Sequence, residues 1–555
     1  MNKKTIKYIV EYLVIALIVG LTYYIYLPAI NLQNEGFWMF LSYAIFLCTL
    51  PFSLTVTLKY KKCYAKNTQA QKKLKNADVY LKLKRISFLA LIPIALMLVG
   101  MIISSQLFNA RAYANVITVN ESVFEEDMPK TTSVTNIALM DTASAQKLGD
   151  KKLGSLEEFV SQYTVSEQFN QINFNNTPKK VAILEYEDFF KWLGNKNKGI
   201  PGYIMVDPTI SNAAQYIEFK QPVKYAQSAY FGEDLTRKLR FSYPTKIFGE
   251  PRFEVDEAGN PVYIVPCLKP RIGIFGAKDV VEAIIFNPCT GESQIYGIND
   301  VPSWVDIVFN GDLAMQKYNW HGTLSGGFLN SIIGNKGCKQ TTDDYGYLTL
   351  DNDVWYFTGV TSVSGDESNI GFILTNARTG YYKYYPVIGA SEHAAMEAAE
   401  GEVQNMRYEA AFPALVNLYG HATYIMVLKD SSGIVKMYCL VNVEDYSNII
   451  ATGNTQEDAV RAYKDLLIEK GVLNEVSDSA EKKQITVLSV KETVIDGNTV
   501  FFFETEENGE SVYYKLSIAK DESALFIKAG DSIYVTYEET DKAGIYIITS
   551  WSHEN

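Results

Sequence analysis

The chain has 555 residues, long enough for several cores, and carries 51 Lys+Arg against 63 Asp+Glu for a net charge of −12. The imbalance is uneven: residues 1–106 hold 13 basic and 3 acidic side chains (Glu11, Glu35, Asp78), a net +10, which leaves 38 basic and 60 acidic, a net −22, in the rest. So acidic a body repels polyanions, which argues against a nucleic-acid partner.

Taken in order, the first 108 residues read as a membrane anchor. Residues 8–30 (YIVEYLVIALIVGLTYYIYLPAI) form a first apolar span with Tyr23, Tyr24 and Tyr26 at its far end, where an aromatic belt belongs. Residues 36–58 form a second, opening with Phe37 and Trp38, and residues 86–108, from KRISFLALIPIALMLVGMIISSQLF, a third. Each is long enough, at about 1.5 Å per residue, to cross a hydrocarbon core of roughly 30 Å. Residues 59–85 between the last two carry ten basic residues and one acid. Positive charge stays inside, so this loop and the N-terminus are expected in the cytoplasm and residues 109–555 outside.

Beyond the anchor, residues 116–129 read as a strand or extended linker. DTASAQKLGDKKLGSLEEF (141–159) and YEDFFKWL (186–193) read as helices. Three similar stretches follow: GYIMVDPTISNAAQYI from Gly202, VEAIIFNPCTGESQIY from Val281 and NIGFILTNARTGYYKYY from Asn369. Each is an apolar run, an Asp or Asn (Asp207, Asn287, Asn376), a turn containing Thr, and a returning run, which is the pattern of a β-hairpin. FEVDEAGNPVYIVPCL and TYIMVLKDSSGIVKMYCLVN are further hairpins. Helices are expected over 391–407 and over 455–470, the latter with a Thr cap, early acids and Gly471 as its stop. Residues 485–551 hold five strands and no long helix, a small closed barrel.

The hairpins with their helices resemble PepSY-like modules, small extracytoplasmic α+β units thought to bind or inhibit, and the last segment resembles an OB-fold. Stretches such as GIPGYIMVD, SAYFGEDLTRKLRFSYPT and DVWYFTGVTSVSGDESNIGF look like those of an uncharacterised group of membrane-anchored proteins from Gram-positive gut bacteria. The fold class expected is therefore three transmembrane helices, a multi-module α+β region and an OB-like barrel. Its domains are 1–108 (anchor), 109–240, 241–345 and 346–475 (α+β modules) and 482–555 (barrel).

Candidate chemistry is sparse. Ser144-Ala145-Gln146-Lys147 fits the SxxK pattern of penicillin-binding enzymes, but no KTG element accompanies it. His393, Glu397 and Glu400 share a helix face without an HExxH motif. The loops 351–353 and 364–369 are oxygen-rich but lack EF-hand spacing. Trp304, Tyr318, Trp320, Trp355 and Tyr356 cluster in sequence and could line a groove for glycan or peptide. Among six cysteines, Cys267 and Cys289 are the pair best placed for a disulfide in an oxidising compartment. No catalytic, metal or cofactor site is assigned. The expectation is a non-catalytic binding, assembly or regulatory ectodomain, with the bilayer, another envelope protein or cell-wall component, or a second copy as partners. An envelope hydrolase of glycan or peptide, or an accessory subunit for transport or signalling, is the alternative.

Overall fold

A computed structural model describes residues 3–64, 88–134, 137–209, 214–363, 368–473, 483–495, 498–507, 510–518, 522–539 and 544–553. Most of the basic connector, residues 65–87, and the oxygen-rich stretch 364–367 lie outside the described residues. The chain forms two compact units, Met1–Tyr463 and Lys464–Asn555.

The apolar segments form helices α1 (Lys3–Tyr26), α2 (Glu35–Tyr64) and α3 (Phe88–Ile103), followed by α4 (Gln106–Ala114). α2 runs antiparallel to α1, with Tyr23 and Phe40 in edge contact at 5.7 Å and the Thr22 and Tyr43 hydroxyls 3.3 Å apart. Ser42 joins α2 to α3 by donating to the Ala90 carbonyl. By length and composition one described helix, Tyr8–Tyr26, can cross a membrane, and a second if α3 and α4 count as one span bent by 51°. The apolar part of α2, Glu35–Pro51, is shorter than a span. The expectation of three spans is corrected accordingly, most clearly at residues 86–108, whose helix breaks at Ser104.

The break has an identifiable cause. Ser104 Oγ donates to the Gly100 carbonyl (2.7 Å) and accepts from the backbone N–H groups of Ile274 (2.9 Å) and Phe275 (3.1 Å). A hairpin tip thus docks on the helix, turning at Gly273 with φ +57°. Gly100 admits it, because a methyl group there would stand 2.6 Å from Phe275 Cε2.

From α4 the chain runs as a lace. Val119–Glu121 and Lys130–Thr131, separated by the single turn α5 (Phe124–Asp127), add parallel edge strands to two different sheets, along Tyr382–Tyr385 and Ala414–Leu418. Next comes one supersecondary unit built four times. A helix is followed by two short strands, both bonded to the same edge of a long strand, and then by two more antiparallel strands. The first unit is α6 (Thr142–Gly154) with long strand Thr177–Tyr186, its helix α7 (Phe189–Asn195) and hairpin Ile200–Val206/Ala214–Val223. The second is α8 (Leu235–Ser242) with Pro261–Ile272 and hairpin Gly276–Phe286/Ser293–Gly297. The third is α9 (Gly311–Leu324) with Asp353–Ser362 and hairpin Gly371–Asn376/Tyr382–Tyr385. The fourth is α10 (Glu392–Glu402) with His421–Lys429 and hairpin Val435–Asn442/Ile450–Gly453, closed by α11 (Gln456–Glu469).

Each last hairpin turns on an Asx side chain. Oδ1 of Asp207, Asn287, Asn376 and Asn442 accepts from the backbone N–H of Thr209 (3.0 Å), Cys289 (2.9 Å), Arg378 (3.0 Å) and Glu444 (3.0 Å). The first and second sheets share one core, in which Ile183, Ile204, Tyr203, Phe253, Tyr263 and Phe286 are buried. At the meeting of the first three units lies a carboxylate pair. Buried Glu254 accepts from the N–H of Asp306 (3.1 Å) and Ile307 (2.8 Å), while Asp306 accepts from Asn173 N–H (2.9 Å). Burial lifts both above the usual carboxylate range, and at Asp306 repulsion from Glu254 adds to it.

In the compact unit Lys464–Asn555, Lys483–Thr486 pairs with Ser532–Glu539 and Ser489–Ile495 pairs with Asn498–Glu507, so one bent segment joins both ends of the strand order. Glu510–Ser517 lies parallel to Ile545–His553, completing a closed barrel around buried Phe503, Tyr514, Ile533 and Ile548. The bend gives six strands where five were expected.

Two outcomes test this packing. Gly100→Leu overpacks the Phe275 contact and should destabilise the full chain in detergent by about 1–3 kcal/mol in thermal unfolding. Carboxylates raised in the folded state stabilise it below their unfolded pKa of about 4 and lose that contribution as pH rises through the raised values. The compact unit Met1–Tyr463 should therefore lose stability from mildly acidic to alkaline pH, and Asp306→Asn should flatten the slope of midpoint against pH.

Candidate functional site: a lysine-rimmed cleft

The first turn of α6 is built around Asp141. Its Oδ1 caps the helix by accepting from Ser144 N–H (2.7 Å), and its Oδ2 accepts from Lys429 Nζ on the fourth sheet. Lys429 also donates to Ser144 Oγ at 3.2 Å. Burial pushes the Asp141 carboxyl up, but the ammonium of Lys429 and the Ser144 donors outweigh it and hold the pKa below the ordinary value. Behind this turn Lys180 is fully buried, donating to Thr142 Oγ1 (3.3 Å) with its Nζ 4.9 Å from the Tyr347 ring centre. Burial lowers its pKa to about 8, against the pull of Asp141.

In front of the same turn opens a cleft of about 710 Å³. One wall is α6 with Ser144, Lys147, Leu148 and Lys151; the other is the fourth sheet's hairpin with Val427, Gly433, Ile434, Val435 and Tyr438. Leu139, Met140 and the Pro208–Thr209 turn close one end, tied together where Leu139 N–H donates to the Pro208 carbonyl at 3.0 Å. Lys147 reaches across to the opposite hairpin, since a methyl group at Gly433 would stand 2.7 Å from its Nζ. Among the described residues the lining contains two ammonium groups and no Asp or Glu. It is an apolar slot of ordinary ligand size with a cationic rim.

No family model matches the chain, and no curated protein is similar to it.

The structure does not gather the five aromatics singled out in the sequence. Tyr318 and Tyr356 are buried in the third unit's core, where the Tyr356 hydroxyl donates to the Phe309 carbonyl (2.9 Å). Trp304 packs in the cluster of Val262, Ile264 and Val305. Trp320 lies edge-on to Tyr113 at 5.0 Å, and Trp355 sits beside Tyr381 under Lys383. They fill separate cores rather than lining one groove. Cys267 and Cys289 are both free thiols: Cys267 is buried in its strand, its pKa raised by burial to about 12, and Cys289 Sγ donates to the Gln221 carbonyl. The 351–353 loop is a tight turn with positive φ at Asp351 and Asn352, and Asp353 holds Arg378 at 2.6 Å. Glu400, on the face shared with His393, accepts from Ala410 N–H at 2.9 Å.

Ser144 and Lys147 do line the cleft, yet the group that touches Ser144 is Lys429, 285 positions away and invisible to any motif. Lys429 is engaged by Asp141 at the same time, and toward Ser144 it stands as a hydrogen-bond donor to the hydroxyl. Removing the cation leaves a largely buried carboxylate uncompensated. Lys429→Met should therefore cost about 1–3 kcal/mol in thermal unfolding. Asp141 contributes stability above the usual carboxylate pKa that fades as pH falls, so the cost should shrink toward acid pH.

Proposed function

We propose that the protein is a membrane-anchored envelope protein whose ectodomain, residues 109–555, binds an anionic ligand with an apolar portion in the α6 cleft without transforming it. The carrying observation is the pairing of an apolar slot with Lys147 and Lys151 and no acidic lining. Such a site neutralises a phosphate or carboxylate at its rim while burying a chain or ring inside.

The anchor reading rests on α1, whose span window is 6% buried and which presents Leu13, Leu17, Leu21 and Ile25 outward. The C-terminal end of α1, the start of α2 and the end of α3 all meet the same body. Arg240 Nε donates to the Leu27 carbonyl (2.9 Å), Lys278 pairs with Glu35 (2.7 Å) and Ser104 holds the 274–275 tip. That common side agrees with a cytoplasmic N-terminus and basic loop. The four repeated units support the likeness to PepSY-like binding modules. The barrel's strand order, with a bent first strand and a parallel third–fifth pair, supports an OB-like module. A hydrolase reading has one observation in its favour, the 3.2 Å contact of Lys429 with Ser144, but that lysine is already paired with Asp141.

The test uses the full chain in nanodiscs with dodecyl phosphate, dodecyl maltoside and dodecyltrimethylammonium as probes. Dodecyl phosphate should bind and raise the unfolding midpoint, and Lys147→Glu with Lys151→Glu should weaken it by about tenfold or more, the effect of about 1.4 kcal/mol. Equal binding of the neutral or cationic probe, or binding indifferent to the double substitution, would overturn the reading. A fluorophosphonate should leave Ser144 unmodified.

A further inference from the structure

We infer that the body does not stand clear of the bilayer on its helices but is seated in it, through an apolar foot that surrounds the entry points of α1 and α3. This rests on the anchor reading above.

Three apolar patches carry it, each fixed to a helix end by a contact. Around the end of α1, Phe241 meets the rings of Tyr23 and Tyr24 (both 6.3 Å) and Arg237 lies over Tyr24 (4.2 Å) while donating to the Phe231 carbonyl. Phe231 in turn packs on Trp192 (5.7 Å), and Phe190 projects beside them, 77% exposed. At the end of α3, the bend turns α4 so that Ala110, Tyr113 and Ala114 face the body while Leu107 and Phe108 face outward. Beside α4, held by the Tyr113–Trp320 contact, α9 leads into a turn carrying Leu329, Ile332 and Ile333, the last 79% exposed.

Isolated exposed apolar side chains need no explanation, but three patches ringing two apolar helices do. The depth is set by the hairpin tip. Phe275 packs against Gly100, a full turn inside α3, so the 273–275 tip already lies below the level at which that helix ends. Groups at this level meet the headgroup region, where large aromatic side chains are most favourable. The occupant is therefore lipid, continuous with the surface that covers Leu17 and Leu21 of α1. The 51° bend after Ile103 tilts α4 away from the line of α3, which brings its outer edge, Leu107 and Phe108, toward the same layer.

The experiment places p-benzoylphenylalanine at Phe190, Phe231 or Ile333 of the full chain, with Leu17 as the site inside the bilayer. Ile388 is the distant control, beyond the end of the Tyr382–Tyr385 strand that the lace follows away from α4. In nanodiscs containing a fluorescent phospholipid, irradiation should transfer label at positions 190, 231, 333 and 17 and several-fold less at 388. All substituted positions are exposed, and circular dichroism reports any loss of fold. Label at 17 alone overturns the foot and leaves the anchor standing. Label at none of them, 17 included, overturns the anchor itself. A protein–protein adduct at 190 or 333 in place of lipid assigns the patch to a second copy and overturns the inference.

Discussion

One hydroxyl sets the relation between the greasy helices and the body. Ser104 is buried at the last turn of α3, accepts two backbone N–H groups from a hairpin tip, returns its own proton to Gly100, and offers its carbonyl to the Tyr113 hydroxyl. Four bonds on one residue in an apolar setting are costly to break, because each group left unpaired would lose its partner without regaining water. They end α3, turn the chain into α4 and fix the second unit's long hairpin against the helix. Arg240 does similar work for α1, reading the carbonyl of Leu27 at its left-handed cap while also binding the Tyr243 and Lys246 carbonyls. The helix ends are therefore built into the fold.

From that fixed start the lace and the four units follow a single logic. Each unit is too thin to bury both faces of its sheet alone, so neighbours share cores and the chain returns to stitch edges, as at Val119–Glu121 and Lys130–Thr131. Sharing has a polar consequence. Glu254 and Asp306, and Lys180 beneath Tyr347, end up where units meet, away from water and with few partners. The two carboxylates hold backbone N–H groups in register across the joint, and Lys180 donates to the Thr142 hydroxyl, each at the cost of a charge state that burial disfavours.

What the sequence made legible was local. Asp141 and Ser391 cap the helices placed there, Thr455 accepts from Asp458 N–H at 3.1 Å at the start of α11, and the three Asx turns head real hairpins. Barrel strands were visible because their alternation is strong. The hairpin expected at Ser431–Gly433 is real, but the fourth copy's own turn, at Asn442, is not legible because neither Thr nor Gly follows it. α9 was missed although Asn310 caps it, since its buried face mixes Lys317 and Tyr318 with Ala314 and Met315. The 86–108 span looked continuous because Ser104 and Ser105 are tolerated in apolar helices. Only the tip from residues 273–275 reveals the break. The aromatic groove failed for a related reason: proximity in sequence does not put alternating strand residues on one face.

The cleft was half legible, and the illegible half decides its character. A serine and a lysine three apart on a helix suggest a nucleophile and its base, and both do face the cavity. The chemistry depends instead on Asp141, which caps the helix, pairs with Lys429 and is the counter-charge felt by buried Lys180. One carboxylate serving three cations and donors is fully committed, so the polar wall of the cleft is electrically closed behind Ser144. Among the described lining residues the charge at the opening is positive, at Lys147 and Lys151, over a floor of Leu148, Ile434 and Val435. That arrangement, negative charge committed inside and positive charge at the opening, is the ground for proposing an anion site.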